Sequence, residues 1–89
     1  MEARPQHALE ERALLAEIAR ALVEAPVHVR VEEEVHNGKT RLHLYVLPPD
    51  RGRIIGRRGR TIRAIRQLFS AIGMTEGRQV IVEMVEDES

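Results

Sequence analysis

The chain has no cysteine and no tryptophan, and one tyrosine and one phenylalanine are its only aromatic residues. Without thiols it can hold neither a disulfide framework nor a thiolate metal site, which suits a reducing compartment. Tyr45 and Phe69 alone cannot build a platform on which successive bases stack. Long apolar runs are missing as well. Glu17, Arg20 and Glu24 interrupt the best candidate, which falls short of the roughly 20 residues that cross a bilayer. The start, with Glu2, Arg4 and Pro5, lacks the pattern of a secretory signal. A cytoplasmic protein with no membrane partner is expected. Net charge is also absent, since fourteen basic residues balance fourteen acidic ones. A neutral molecule has no overall field to draw in a polyanion, so any such contact must be local.

Catalytic patterns are equally scarce. Neither G-x-x-x-x-G-K-[ST] nor G-x-G-x-x-G occurs, and no serine, histidine and acid are grouped for nucleophilic chemistry. His28, His36 and His43 lie on or near adjacent predicted strands but lack a closed ligand set, so no metal is expected. The chain reads as a binding protein with no cofactor and no enzymatic activity.

Eighty-nine residues, 43% of them hydrophobic, suffice for one small core and are too apolar for a disordered chain. One domain is expected, with its core at about 8–85 and a short acidic tail at 86–89. The spacing of Leu14, Ile18 and Leu22, with Leu15 and Ala19 beside them, predicts a helix from His7 to Ala25 that Pro26 stops. Val27, Val29, Val31 and Val35 then alternate with polar residues, a half-buried strand. Asn37-Gly38 marks a tight hairpin into a return strand carrying Leu42, Leu44 and Val46. Pro48-Pro49 ends that strand, and Asp50 is placed to cap a short helix to about Ile55. Ile62, Ile65, Phe69 and Ile72 predict a further helix ended at Gly73, and Gly77 opens a last strand with Val80, Val82 and Met84 on one face. Phe69 and Ile65 read as core, while Tyr45 falls on the polar face of its strand, near Ile81. The order α-β-β-α-α-β predicts an α+β fold: a three-stranded mixed sheet covered on one face by three helices.

The balanced charge hides strong segregation. Residues 51–66 hold seven arginines and no acid, half of the basic residues in less than a fifth of the chain. Within them Gly56-Arg57-Arg58-Gly59 breaks two apolar-patterned segments. Glycine lets backbone amides approach a ligand oxygen, and the next helix points its N-terminal amides and partial positive charge at the turn. Arg57, Arg58, Arg60 and Arg63 add mobile cations, so the turn suits a phosphate. The plain alternative is a tight helix connection with solvated arginines, since G-x-x-G alone is common.

The flanks narrow the choice. RIIGRRGRTIRAI fits I-I-G-x-x-G-x-x-I-x-x-I, with Ile54, Ile55, Ile62 and Ile65 bracketing the turn. In this the chain resembles the KH domain, a single-stranded nucleic-acid-binding module whose G-x-x-G loop clamps a four-nucleotide backbone. The element order matches the type II KH fold, from roughly Ala8 to Val85. Length, Val-rich first strand and proline-aspartate helix entry are similar to the KhpA (YlqC) family of small bacterial RNA-binding proteins. The resemblance implies that Gly56, Arg57, Arg58, Gly59 and Arg60 hold phosphates, that Arg53 and Arg63 reach them or solubilise their helices, and that Ile54, Ile55 and Ile62 floor the groove. Leu44 and Val46 are candidates for its opposite wall. It further implies a single-stranded RNA partner, an RNA chaperone or regulatory role, and a homodimer and/or a heterodimer with a KhpB (Jag/EloR)-like protein. Rival readings are an interaction scaffold for that partner and a binder of single-stranded DNA.

Overall fold

The computed structural model describes residues 6–86. Helix α1 spans Gln6–Leu22, strands β1 and β2 span Arg30–His36 and Lys39–Tyr45, helices α2 and α3 span Arg51–Ile55 and Arg60–Met74, and strand β3 spans Gln79–Met84. This is the expected order of a type II KH fold, α+β, with three helices and a three-stranded mixed sheet. Of the expected acidic tail, Asp87 to Ser89 lie outside the described residues.

Asn37 and Gly38 both take positive φ, so β1 returns as β2 through a two-residue turn that closes on the His36–Lys39 pair. β2 then pairs with β3 in parallel, with Leu42 beside Val82 and Leu44 beside Met84, giving the sheet order β1-β2-β3. A parallel neighbour needs a crossover, and α2 and α3 supply it. α1 packs against β1 and α3 against β3. Between the layers lies one core, whose fully buried large side chains are Leu15, Leu42, Leu44, Ile54, Phe69 and Val82.

The structure changes the phase of α1. Leu14 remains 40% exposed, and the innermost line runs through Leu15 and Ala19. One turn before Leu15, on the same line, Glu11 is 3% exposed. It survives burial because the Arg78 guanidinium, just before β3, pairs with its carboxylate. That hydrogen bond to Glu11 also holds the Arg78 guanidinium above its ordinary pKa. A raised basic pKa gives stability that is lost only as pH climbs through the folded value, so the Arg78 contribution is present at neutral pH.

Three boundaries also move. α1 ends at Leu22 instead of Ala25, because the Glu24 and Ala25 amides donate to the Asp50 carboxylate at 3.0 and 3.1 Å. Asp50 therefore ties the start of α2 to the end of α1 and makes no side-chain cap on its own helix. β1 begins at Arg30, because Pro26–His28 form a 3-10 turn that leaves Val27 exposed, and Val35 is exposed near the hairpin tip. Gly73 lies inside α3 rather than beyond its end. A Cβ there would come within 2.7 Å of the Arg78 carbonyl oxygen, so glycine is set by close approach.

The sheet face away from the helices is polar. Arg41 pairs with Glu83 at 2.8 Å, and His43 reaches Glu34 at 3.2 Å. The Tyr45 hydroxyl donates to Glu32, with the Arg30 guanidinium 3.8 Å from the centre of its ring.

Candidate nucleic-acid interface

Gly56 ends α2 with its amide donating to the Gly52 carbonyl at 2.9 Å. Its φ of 77° and ψ of 171° lie in a region that only glycine visits without strain. A Cβ on Gly56 would also stand 2.2 Å from the Thr61 hydroxyl oxygen. The chain then makes one tight turn, closed by the Gly59 amide on the Gly56 carbonyl at 3.0 Å. Arg58 and Gly59 are both left-handed, and α3 begins at Arg60 with ordinary helical angles. The Arg60 amide donates in turn to the Arg57 carbonyl, so the bend is closed by two of its own backbone bonds.

The arginines of the block divide into two sets. Arg57, Arg58 and Arg60 are exposed and make no side-chain hydrogen bond or ion pair among the described residues. The other four are anchored. Arg51 donates to the Val85 carbonyl at 3.1 Å and reaches Glu86 at 3.6 Å. Arg53 pairs with Glu24 at 2.8 Å and approaches Asp50 at 3.8 Å. Arg63 donates to the Arg58 carbonyl at 2.9 Å, bracing the left-handed residue from the next helical turn. Arg66 donates through Nε to the Val82 carbonyl at 3.1 Å. Two expected phosphate ligands, Arg53 and Arg63, thus already have protein partners.

The isoleucines divide as well. Ile54 is fully buried and Ile62 is 7% exposed, so both support the bend from within the core. Ile55 is half-buried and is the apolar side chain that shows next to the loop. Leu44 and Val46, considered for a groove wall, are likewise core.

The wall that is available is the edge of β3. The Val85 amide donates to the Leu44 carbonyl, so the backbone groups of residue 85 point at β2. Backbone groups alternate along a strand, so those of Val82 and Met84 point away from β2, to the open edge. Arg66 crosses from α3 to that edge. Gly59, at the N-cap of α3, and Ile62 and Arg66 within it follow at three- and four-residue intervals, which puts the end of the loop and Arg66 on one flank of the helix. Sequence reasoning gave Arg66 and β3 no role here. The available signal was Arg66 on the helical flank of Gly59.

Among the described residues no acidic side chain pairs with the loop arginines Arg57 and Arg58. The one acidic tail residue that is described, Glu86, pairs with Arg51. Among the described residues no group of three or more histidines and acids is arranged to hold a metal, and no helix is long and apolar enough to cross a membrane. A depression of about 480 Å³ lies between α1 and β1, but its Arg20 and Arg30 face Glu17 and Glu32 at 4.0 and 3.2 Å.

A family model described as the KH domain of KhpA/KhpB matches residues 12–84. The chain is 39% identical over 72 residues to the RNA-binding protein KhpA of Clostridium acetobutylicum, covering 81% of this chain and 96% of that one. Against the same-named protein of Caldanaerobacter subterraneus subsp. tengcongensis, identity is 40% over 72 residues, with the same two coverages. Against that of Treponema pallidum it is 38% over 76 residues, covering 85% of this chain and 95% of the other.

Proposed function

Because the chain belongs to the KhpA/KhpB family of KH domains, we propose that it binds single-stranded RNA by clamping the sugar-phosphate backbone on the turn from Gly56 to Gly59. The observation that carries this reading is the division of the arginine block. Three cations, on Arg57, Arg58 and Arg60, stand exposed and uncommitted among the described residues around a glycine-bounded turn at the entrance of α3, while Arg63 braces that turn and Arg51, Arg53 and Arg66 are held by partners elsewhere. The α3 amides add fixed partial positive charge at the same point. Ile55 offers the bases an aliphatic surface, which suits a molecule without aromatics to stack on them.

A clamp of this size covers about four nucleotides, and so small a footprint gives weak binding. Useful affinity then comes from linking two such domains, since a second attachment is intramolecular once the first is made. We therefore place the chain in a homodimer or in a heterodimer with a KhpB-like KH protein, serving as an RNA chaperone or regulator. The test replaces both tip residues, Arg57→Asp and Arg58→Asp. Neither side chain has a partner to lose among the described residues, so the fold holds while the phosphate site becomes repulsive. RNA affinity, read by fluorescence anisotropy on a short labelled oligonucleotide, is expected to collapse by more than tenfold, with sedimentation behaviour unchanged. Unaltered affinity in the folded double variant refutes the clamp.

A further inference from the structure

Arg66 has a different situation from every other arginine of the block. Its stem leaves α3 on the flank shared with Gly59 and Ile62, and its Nε–H is given to the Val82 carbonyl on the open edge of β3. It makes no ion pair among the described residues. A guanidinium is planar and rigid, so fixing Nε fixes the orientation of the whole fork. The two terminal nitrogens, at the end opposite the stem, are left as a parallel pair of donors. They stand where a base would lie if the phosphate strand ran over the loop and alongside β3.

We propose that Arg66 is a specificity-determining residue, selecting at one position a base that turns two neighbouring acceptors toward it. This rests on the RNA-binding reading above and adds a base preference to it. Guanine satisfies the requirement through O6 and N7, the pairing arginine makes most often with a base. Cytosine satisfies it through O2 and N3 on its pairing edge. Adenine sets its amino donor beside N1 and N7 and leaves N3 with no second acceptor on the ring next to it, and uracil separates its two carbonyls with an N–H. Either would leave one terminal N–H of Arg66 facing a donor or nothing, in a site where Nε is already committed and the fork cannot swing to another partner. Pre-orientation by Val82 makes the discrimination sharper than a free arginine could achieve, because little rotamer freedom remains to be lost.

The experiment uses four labelled RNA hexamers of uridine whose two central residues are C, G, A or unchanged U, titrated against the full chain. The wild-type protein is expected to bind the C arm, the G arm or both at least about 5-fold more tightly than the A and U arms. A 7-deazaguanine arm, which lacks the N7 acceptor, tells the two edges apart: it abolishes a preference for G and leaves one for C untouched. Arg66→Lys keeps charge and reach but has no fork, so its four affinities are expected to converge within about twofold while the U arm stays at the wild-type value. Arg66→Gln serves as the second variant, and thermal unfolding checks that each is folded. Equal wild-type affinity for all four arms overturns the assignment and leaves the RNA clamp standing, as does a preference that persists in folded Arg66→Lys. Failure of all four arms to bind overturns the clamp itself and this inference with it. Arg57→Asp with Arg58→Asp must weaken all arms by the same factor, which separates backbone holding from base choice.

Discussion

At the scale of single residues, two glycines carry the bend unequally. Gly56 combines a backbone conformation closed to other residues with a contact that has no room for Cβ, at 2.2 Å from the Thr61 hydroxyl oxygen. Gly59 is left-handed, but a Cβ there would meet nothing closer than the Arg63 guanidinium at 3.7 Å. Gly56→Ala should therefore cost roughly 1–3 kcal/mol from the backbone alone, with the clash in addition. Gly59→Ala should cost about 1–2 kcal/mol. Denaturant unfolding of both variants checks the order, and an equal or smaller loss for Gly56→Ala would show that the bend relaxes around the new methyl group. Such differences between two glycines of one motif follow from what packs against each of them. Thr61 lies five residues after Gly56 and carries no sign in the sequence that its hydroxyl closes the space above that glycine.

At the scale of elements, periodicity carried most of the information. The hairpin at Asn37-Gly38, the inward faces of β2 and β3, and the Ile62, Ile65, Phe69 line of α3 are all patterns of one element against one core. Three of the misread positions share a different cause, since each is decided by a second element. Leu14 loses its place to Leu15 because Arg78 draws Glu11 inward. Gly73 is inside α3 because the Arg78 carbonyl approaches it. Asp50 has the expected position before α2, yet its carboxylate goes to the amides of Glu24 and Ala25, a partner more than twenty residues away. At the site, an arginine-rich stretch could be seen in the sequence, but the division into free and anchored arginines could not. It depends on where Glu24, the Arg58 carbonyl and the Val82 carbonyl lie. The Asp50 bridge gives a direct check. Asp50→Ala leaves two amides of a part-buried junction without their acceptor and should cost about 2–4 kcal/mol. Asp50→Asn keeps one carbonyl acceptor and should cost roughly half as much, both read by chemical denaturation. A loss below about 1 kcal/mol in Asp50→Ala would mean that water replaces the carboxylate freely.

At the scale of the whole molecule, charge is neutral in sum and sharply arranged in space. The open sheet face closes its charges on one another through Arg41, Glu83, His43, Glu34, Arg30 and Glu32. Among the described residues the loop at Gly56 to Gly59 leaves its arginines unmatched. A polyanion is therefore drawn to one spot rather than to the molecule at large. If three or four phosphates are neutralised there, the logarithm of affinity should fall against the logarithm of salt concentration with a slope of about −2 to −3. Titrations at several salt concentrations measure it, and a slope near zero would exclude phosphate holding as the source of affinity.

The parallel pairing of β2 with β3 has a kinetic side. A hairpin closes a few residues at a time, whereas β3 can join the sheet only after the entire two-helix crossover has been gathered in, so its closure entropy is the larger. The same event seats Val80 and Val82 in the core, brings Arg78 to Glu11 and gives Arg66 its carbonyl. A partly assembled chain, with hairpin and helices in place but the final strand adrift, would carry the arginine loop without the flank proposed to read a base. Discrimination between nucleotides would then mature later in refolding than simple attraction to them.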